Sequence, residues 1–149
     1  MAMTVLALLL RLLIGGVLCY AGFEKAIASS AEFAAVIQAY RLLPNALAIP
    51  LASSLPWLEM WIGTFLIFGY FTRRTAGLAA GLFAVLITAV GSTLLRHIDL
   101  ASCGCFGSDR LSPRWTILLD FSLLAGSIVL IWLTRRTDRF AVDSFLKAK

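Results

Sequence analysis

The residues best suited to chemistry are Cys103 and Cys105, two of the chain's three cysteines. They stand one residue apart in Ser102-Cys103-Gly104-Cys105-Phe106-Gly107. The glycines let the backbone visit φ > 0 and fold tightly around both sulfurs. A disulfide between cysteines this close needs a bent backbone, and a strained bridge is reduced more readily than a structural one. The pair therefore suits a disulfide that is made and broken. Two other readings use the same atoms. One is a static loop staple or a free thiol pair beside a membrane. The other is a soft-metal site for an ion such as Cu(I), with Cys19 or His97 as a further ligand to Cys103 and Cys105. No second cysteine pair completes a closed zinc site, and there is no phosphate loop or hydrolase motif.

A second set of groups stands out because its members are ionisable yet lie in or beside apolar runs. These are Arg11, Lys25, Glu59 and Asp120. Charges within a membrane usually face a bundle interior or a wet cavity and pair with one another. At about 1.5 Å rise per residue, Glu59 and Asp120 both lie roughly 10 Å below the same membrane face. Cys19 lies about one turn below that face, and Arg11 is deeper. The expected arrangement is a polar pocket of Glu59, Asp120 and Lys25 beneath the cysteine loop; Arg11 either joins it within the bundle or snorkels to the inner surface. The pocket would supply protons or hold a polar head group; alternatively it is a buried ion pair that fixes helix order. His97, the single histidine, stands near the end of an apolar run and six residues before Cys103. It is read either as a surface residue or, as an imidazolium, as a modulator of a cysteine pKa. Trp57, beside Glu59, is the candidate aromatic contact for a quinone; aromatic belts account for the other tryptophans.

The elements that must position these groups are membrane helices. The chain has 149 residues, 60% hydrophobic and 14% charged. That apolar share exceeds the soluble average of roughly 45–50%. The apolar runs reach the ~20 residues that a helix needs to cross a bilayer. The reading is an all-α, integral membrane four-helix bundle forming one domain, with spans at about 4–23, 51–71, 76–95 and 114–133. Residues 96–113 form the cysteine loop and 134–149 a short charged tail. Pro50 and Pro56 make 47–55 a bent lead-in to the second span. Between spans one and two, Ser29 or Ser30 caps a short helix with Glu32 in its first turn. Phe33, Val36, Ile37 and Tyr40 recur at helical spacing. This helix either lies at the membrane surface or packs on the bundle as a connector. Ser112-Pro113 reads as a cap followed by proline at the first helical position.

The net charge of +5 is no nucleic-acid signal, because the basic residues flank apolar runs. Apart from Arg11, seven lysines and arginines fall on one side and five on the other. This bias places both termini in the cytoplasm and the cysteine loop in the periplasm or exterior, where disulfides form. The first run lacks a basic n-region and runs straight into Glu24-Lys25, so it is read as a retained span.

These pieces together resemble the DoxX-like membrane proteins and, within them, the MauE branch of methylamine utilisation. The resemblance rests on Arg11-Leu12-Leu13, Ala21-Gly22-Phe23-Glu24-Lys25, Tyr40-Arg41-Leu42-Leu43-Pro44, Leu55-Pro56-Trp57-Leu58-Glu59, Gly69-Tyr70-Phe71-Thr72-Arg73 and Cys103-Gly104-Cys105-Phe106-Gly107. It implies a four-helix bundle of the bacterial inner membrane, associated with redox processes. It further implies a role in maturing the disulfide-rich small subunit of methylamine dehydrogenase, with a periplasmic thioredoxin-like partner. Cys19 lies outside that pattern, so its part as a third thiol rests on this sequence alone. The layout is also similar to the bundles of DsbB and vitamin K epoxide reductase, whose second cysteine pair this chain lacks. The leading expectation is a thiol–disulfide redox protein working through Cys103 and Cys105. The alternatives are soft-metal binding or transport, and a non-catalytic subunit that anchors a redox complex.

Overall fold

The computed structural model describes residues 2–42, 44–96 and 113–134. These form five helices: α1 (Ala2–Ile27), α2 (Ser30–Ala39), α3 (Asn45–Phe68), α4 (Thr72–Leu95) and α5 (Pro113–Thr134). All but α2 are long and apolar enough to cross a membrane. The protein is thus a multi-pass helical membrane bundle with one short helix between its first two spans. His97, Cys103, Cys105, the rest of the loop and the charged tail lie outside the described residues.

The bundle pairs α1 with α3 and α4 with α5, and α1 also touches α5. Ile14, Leu18, Leu66, Phe83, Leu123 and Leu130 meet at its centre. The outward surfaces carry large apolar residues such as Leu9, Leu13, Leu78, Leu118 and Phe121. Such faces suit contact with lipid tails, where apolar exposure carries no hydrophobic cost. Small residues set how closely α1 and α3 approach. A Cβ on Gly63 would come within 2.7 Å of both the Gly15 carbonyl oxygen and Cys19 Sγ. Only a bare Cα fits that crossing.

α3 begins at Asn45, six residues before the expected 51, and runs unbroken through Pro50 and Pro56. Proline removes one backbone donor and crowds the preceding turn, which is why the pair reads as a break. Membrane helices tolerate it where Ser or Thr side chains and neighbouring helices satisfy freed backbone groups. Here the carbonyls left without their usual donor are those of Ala46 and Ala52; Ser53 Oγ and Ser54 Oγ donate instead to the neighbouring Ile49 and Pro50 carbonyls, at 2.6 Å and 2.8 Å. Pro56 itself is buried against α1, where its carbonyl faces Gly22.

α2 packs on the bundle. Its Ala34 and Ile37 bury against Ala48 and Ala52 of α3, and Tyr40, just past its end, packs on Val90 of α4. Ser29 holds the extended N-cap conformation, but its side chain makes no cap hydrogen bond.

At the opposite end of the bundle α3 stops at Gly69, which has φ 71°. Gly69 N–H donates to Leu66 O and Tyr70 N–H to Phe65 O, closing the helix end. Arg11 reaches the same carbonyl end: Nε donates to Leu66 O at 3.0 Å and Nη2 to Ile67 O at 3.2 Å. A cation at a helix C-terminus opposes the negative end of the macrodipole. A Cβ on Gly69 would collide with the guanidinium. Gly69→Ala therefore meets both backbone strain and this collision. We expect it to lower stability by about 1–3 kcal/mol, measured by unfolding in detergent. Gly77→Ala, on the open face of α4 where a Cβ meets nothing within 4 Å, should be close to neutral.

Candidate functional site

Because successive spans alternate direction, one face of the bundle gathers the end of α1, all of α2, the starts of α3 and α5, and the end of α4. Arg96 Nη1 donates to the Arg41 carbonyl at 3.5 Å, which holds the end of α4 beside the α2–α3 connection. Beneath this face lies the charged cluster. Lys25, in the last turn of α1, donates to both carboxylate oxygens of Glu59, at 2.8 Å and 2.7 Å. The two side chains are only 3% and 1% exposed. At such burial, and in a membrane, an ammonium and a carboxylate hold their charges only as a pair. The Phe33 ring from α2 lies 6.0 Å from Lys25 Nζ and covers the pair on that side.

Asp120 enters from α5. It is 2% exposed and interacts electrostatically with both Lys25 and Glu59. Its Oδ2 is buried and has no hydrogen-bond partner among the described residues. The three helices thus bring two carboxylates and one ammonium together, and only one carboxylate is bonded to the ammonium. A carboxylate left this way in a desolvated site is costly and is a marker of function. The cluster can hold, accept or release a proton within the membrane.

Lys25, Glu59 and Asp120 are the expected pocket members that the fold brings together. Arg11 is not among them. It stands 14 residues before Lys25 on one straight helix, roughly 21 Å away. Its partners are the backbone carbonyls that close α3, so the reading that joins it to the pocket is corrected. Cys19 faces α3: its Sγ lies 3.7 Å from Met60 O and 3.7 Å from Thr64 Oγ1. It fills the close α1–α3 crossing, six residues below Lys25. Trp57 is 59% exposed. Among the described residues no three of His, Cys, Asp and Glu gather as metal ligands. Cys103, Cys105 and His97, on which the thiol and soft-metal readings rest, lie outside the described residues.

One feature gave no signal in the sequence. A cavity of about 480 Å³ opens between α2, α3 and α4, with Lys25 in its wall. Phe33, Ile37 and Tyr40 roof it, and residues 82–90 of α4 form its far side. The spacing of 33, 37 and 40 marked a buried face of α2, but nothing in the apolar run of α4 distinguishes a cavity wall from a lipid-facing surface.

The family model described as "Methylamine utilisation protein MauE" matches residues 3–133, which takes in every helix and the cysteine loop. The chain belongs to the MauE family. A similar curated relative is the methylamine utilization protein MauE of Methylophilus methylotrophus. It is 35% identical over 148 residues, covering 95% of this chain and 76% of the relative. No solved structure matches. The MauE match spans both halves of the charged cluster, from Lys25 on α1 to Asp120 on α5, as well as the Cys-Gly-Cys motif.

Proposed function

We propose that this MauE-family protein is a membrane thiol–disulfide redox protein that works through Cys103 and Cys105. The observation that carries the proposal is one of placement. The chain enters the cysteine loop from Arg96 and leaves it at Pro113. Both anchor the face of the bundle beneath which Lys25, Glu59 and Asp120 are buried. A dithiol that cycles must lose and regain protons, and the three-residue cluster is a proton-holding group beneath the loop's anchors. In the exchange, a thiolate of the partner attacks the Cys103–Cys105 bridge. The S–S bond breaks and a mixed disulfide forms. The partner's second thiolate then displaces it, leaving the partner oxidised and Cys103 and Cys105 as thiols. The reverse sequence oxidises the pair again.

The fitting partner is a periplasmic thioredoxin-like protein, with the bundle in the bacterial inner membrane, both termini cytoplasmic and the loop on the oxidising side. The lysine and arginine bias supports that orientation. The relative's name concerns methylamine utilisation, and we extend that setting to this chain as disulfide maturation of a secreted protein. Cys19 is left in a packing role.

The test is to trap the intermediate. Cys103→Ser and Cys105→Ser should differ: the variant that keeps the attacking thiol accumulates a mixed disulfide with a thioredoxin-like protein, seen on non-reducing gels and identified by mass spectrometry. Cys19→Ala should leave that trapping unchanged. If neither serine variant traps a partner while bound copper falls with each lost cysteine, the soft-metal reading replaces this one. If a Cys103→Ser/Cys105→Ser chain keeps full activity in cells, an anchoring subunit does.

A further inference from the structure

We infer that the cavity between α2, α3 and α4 is a binding site for a neutral isoprenoid quinone, with a ring carbonyl accepting a hydrogen bond from Lys25. Its volume of about 480 Å³ falls within the roughly 300–1,000 Å³ range of small-molecule sites. Its lining is mostly apolar, with Lys25, Tyr40 and Thr88 as the residues that carry polar side-chain atoms. This is the pattern of a site that holds an apolar body and fixes its orientation with a few polar contacts.

Three observations select the ligand's chemistry. The first is access. Val85 and Leu51 line the cavity and are 65% and 36% exposed, so the mouth opens between α3 and α4 toward the bilayer. The ligand therefore arrives from the membrane. The second is the donor. An ammonium has three N–H groups. Two of those on Lys25 go to Glu59, which leaves one for a ligand. The third is charge. Glu59 and Asp120 both lie within electrostatic reach of Lys25, and a further anion would add a third negative group beside a single cation. Fatty carboxylates and phosphates are thereby disfavoured, and a neutral carbonyl is not. A quinone ring supplies the carbonyl and an isoprenoid tail suits the mouth.

The quinone's role as electron acceptor rests on the proposed thiol chemistry; its binding does not. If both hold, the Cys103–Cys105 dithiol loses two electrons and two protons on closing its disulfide, and the quinone gains two of each as it becomes a quinol. The buried cluster beside the ring carbonyl is placed to pass on one of those protons.

Binding is tested on the full chain in lipid nanodiscs with an azido derivative of decylubiquinone, photolysed and mapped by peptide mass spectrometry. The label should fall on residues 82–90 and be competed by unlabelled decylubiquinone but not by oleic acid. Val85→Trp closes the mouth at an exposed position and should reduce labelling about tenfold, which is about 1.4 kcal/mol, without altering thermal stability. The same labelling in a Cys103→Ser/Cys105→Ser chain would show that the site stands apart from the thiols, so failure of mixed-disulfide trapping alone would sink only the proposed function. Label spread evenly over lipid-facing positions such as Leu118 and Phe121, labelling unchanged by Val85→Trp, or equal competition by oleic acid would overturn the quinone site. The last outcome would identify the occupant as a lipid chain.

Discussion

Lys25→Met should destabilise the protein by about 3–5 kcal/mol, and Glu59→Leu by a similar amount, because each leaves its partner as a buried, unpaired charge. The double variant Lys25→Met/Glu59→Leu should recover most of that loss, since apolar replacement of a whole buried pair is often neutral or stabilising. The measurement is a double-mutant cycle of unfolding in detergent, with a coupling energy of at least about 2 kcal/mol expected. Glu32→Leu, on the exposed side of α2, is the control and should stay within about 0.5 kcal/mol. Additive losses in the cycle would mean that the pair is not closed in the membrane. The cycle also separates structure from function. If the recovered double variant still traps the thioredoxin-like partner at the parental rate, the pair serves helix order alone. If it folds but traps slowly, the charges contribute to the exchange.

Much of this site was readable because ionisable residues are rare in spans and helical rise converts position into depth. That arithmetic set Glu59 and Asp120 at one level, and the end of α1 put Lys25 close by. It should also have excluded Arg11, fourteen residues down the same helix. Arg11 was drawn into the pocket because a charge is expected to seek a charge. Its actual partners are main-chain carbonyls, which every residue has and which therefore leave no trace in composition. The prolines of α3 misled for a related reason. Their missing donors are visible in sequence, whereas the packing of Pro56 against α1 is not. The cavity was illegible because it is a property of how far α3 and α4 stand apart. A valine facing it and a valine facing lipid are the same letter in the same pattern.

The last expected result concerns Asp120. Asp120→Leu should raise stability by about 1–3 kcal/mol, the range for removing a buried polar group that lacks a hydrogen-bond partner. Asp120 Oδ2 is such a group among the described residues. The leucine adds an apolar side chain next to a core that already contains Leu123 from the same helix. Asp120→Asn keeps the shape but removes the charge, so it should shift stability less. Both variants should slow reoxidation of the Cys103–Cys105 pair, because the cluster loses the carboxylate that is not tied to Lys25. A carboxylate kept at a cost to the fold is expected where activity requires it. Unfolding midpoints and thiol-labelling rates, measured on the same samples, give the two readouts. Higher stability with slower reoxidation identifies Asp120 as the working acid–base group of the cluster. Lower stability in Asp120→Leu would instead show that the carboxylate contributes to the Lys25–Glu59 pair as a structural third member, and the proton-holding role would then fall to Glu59.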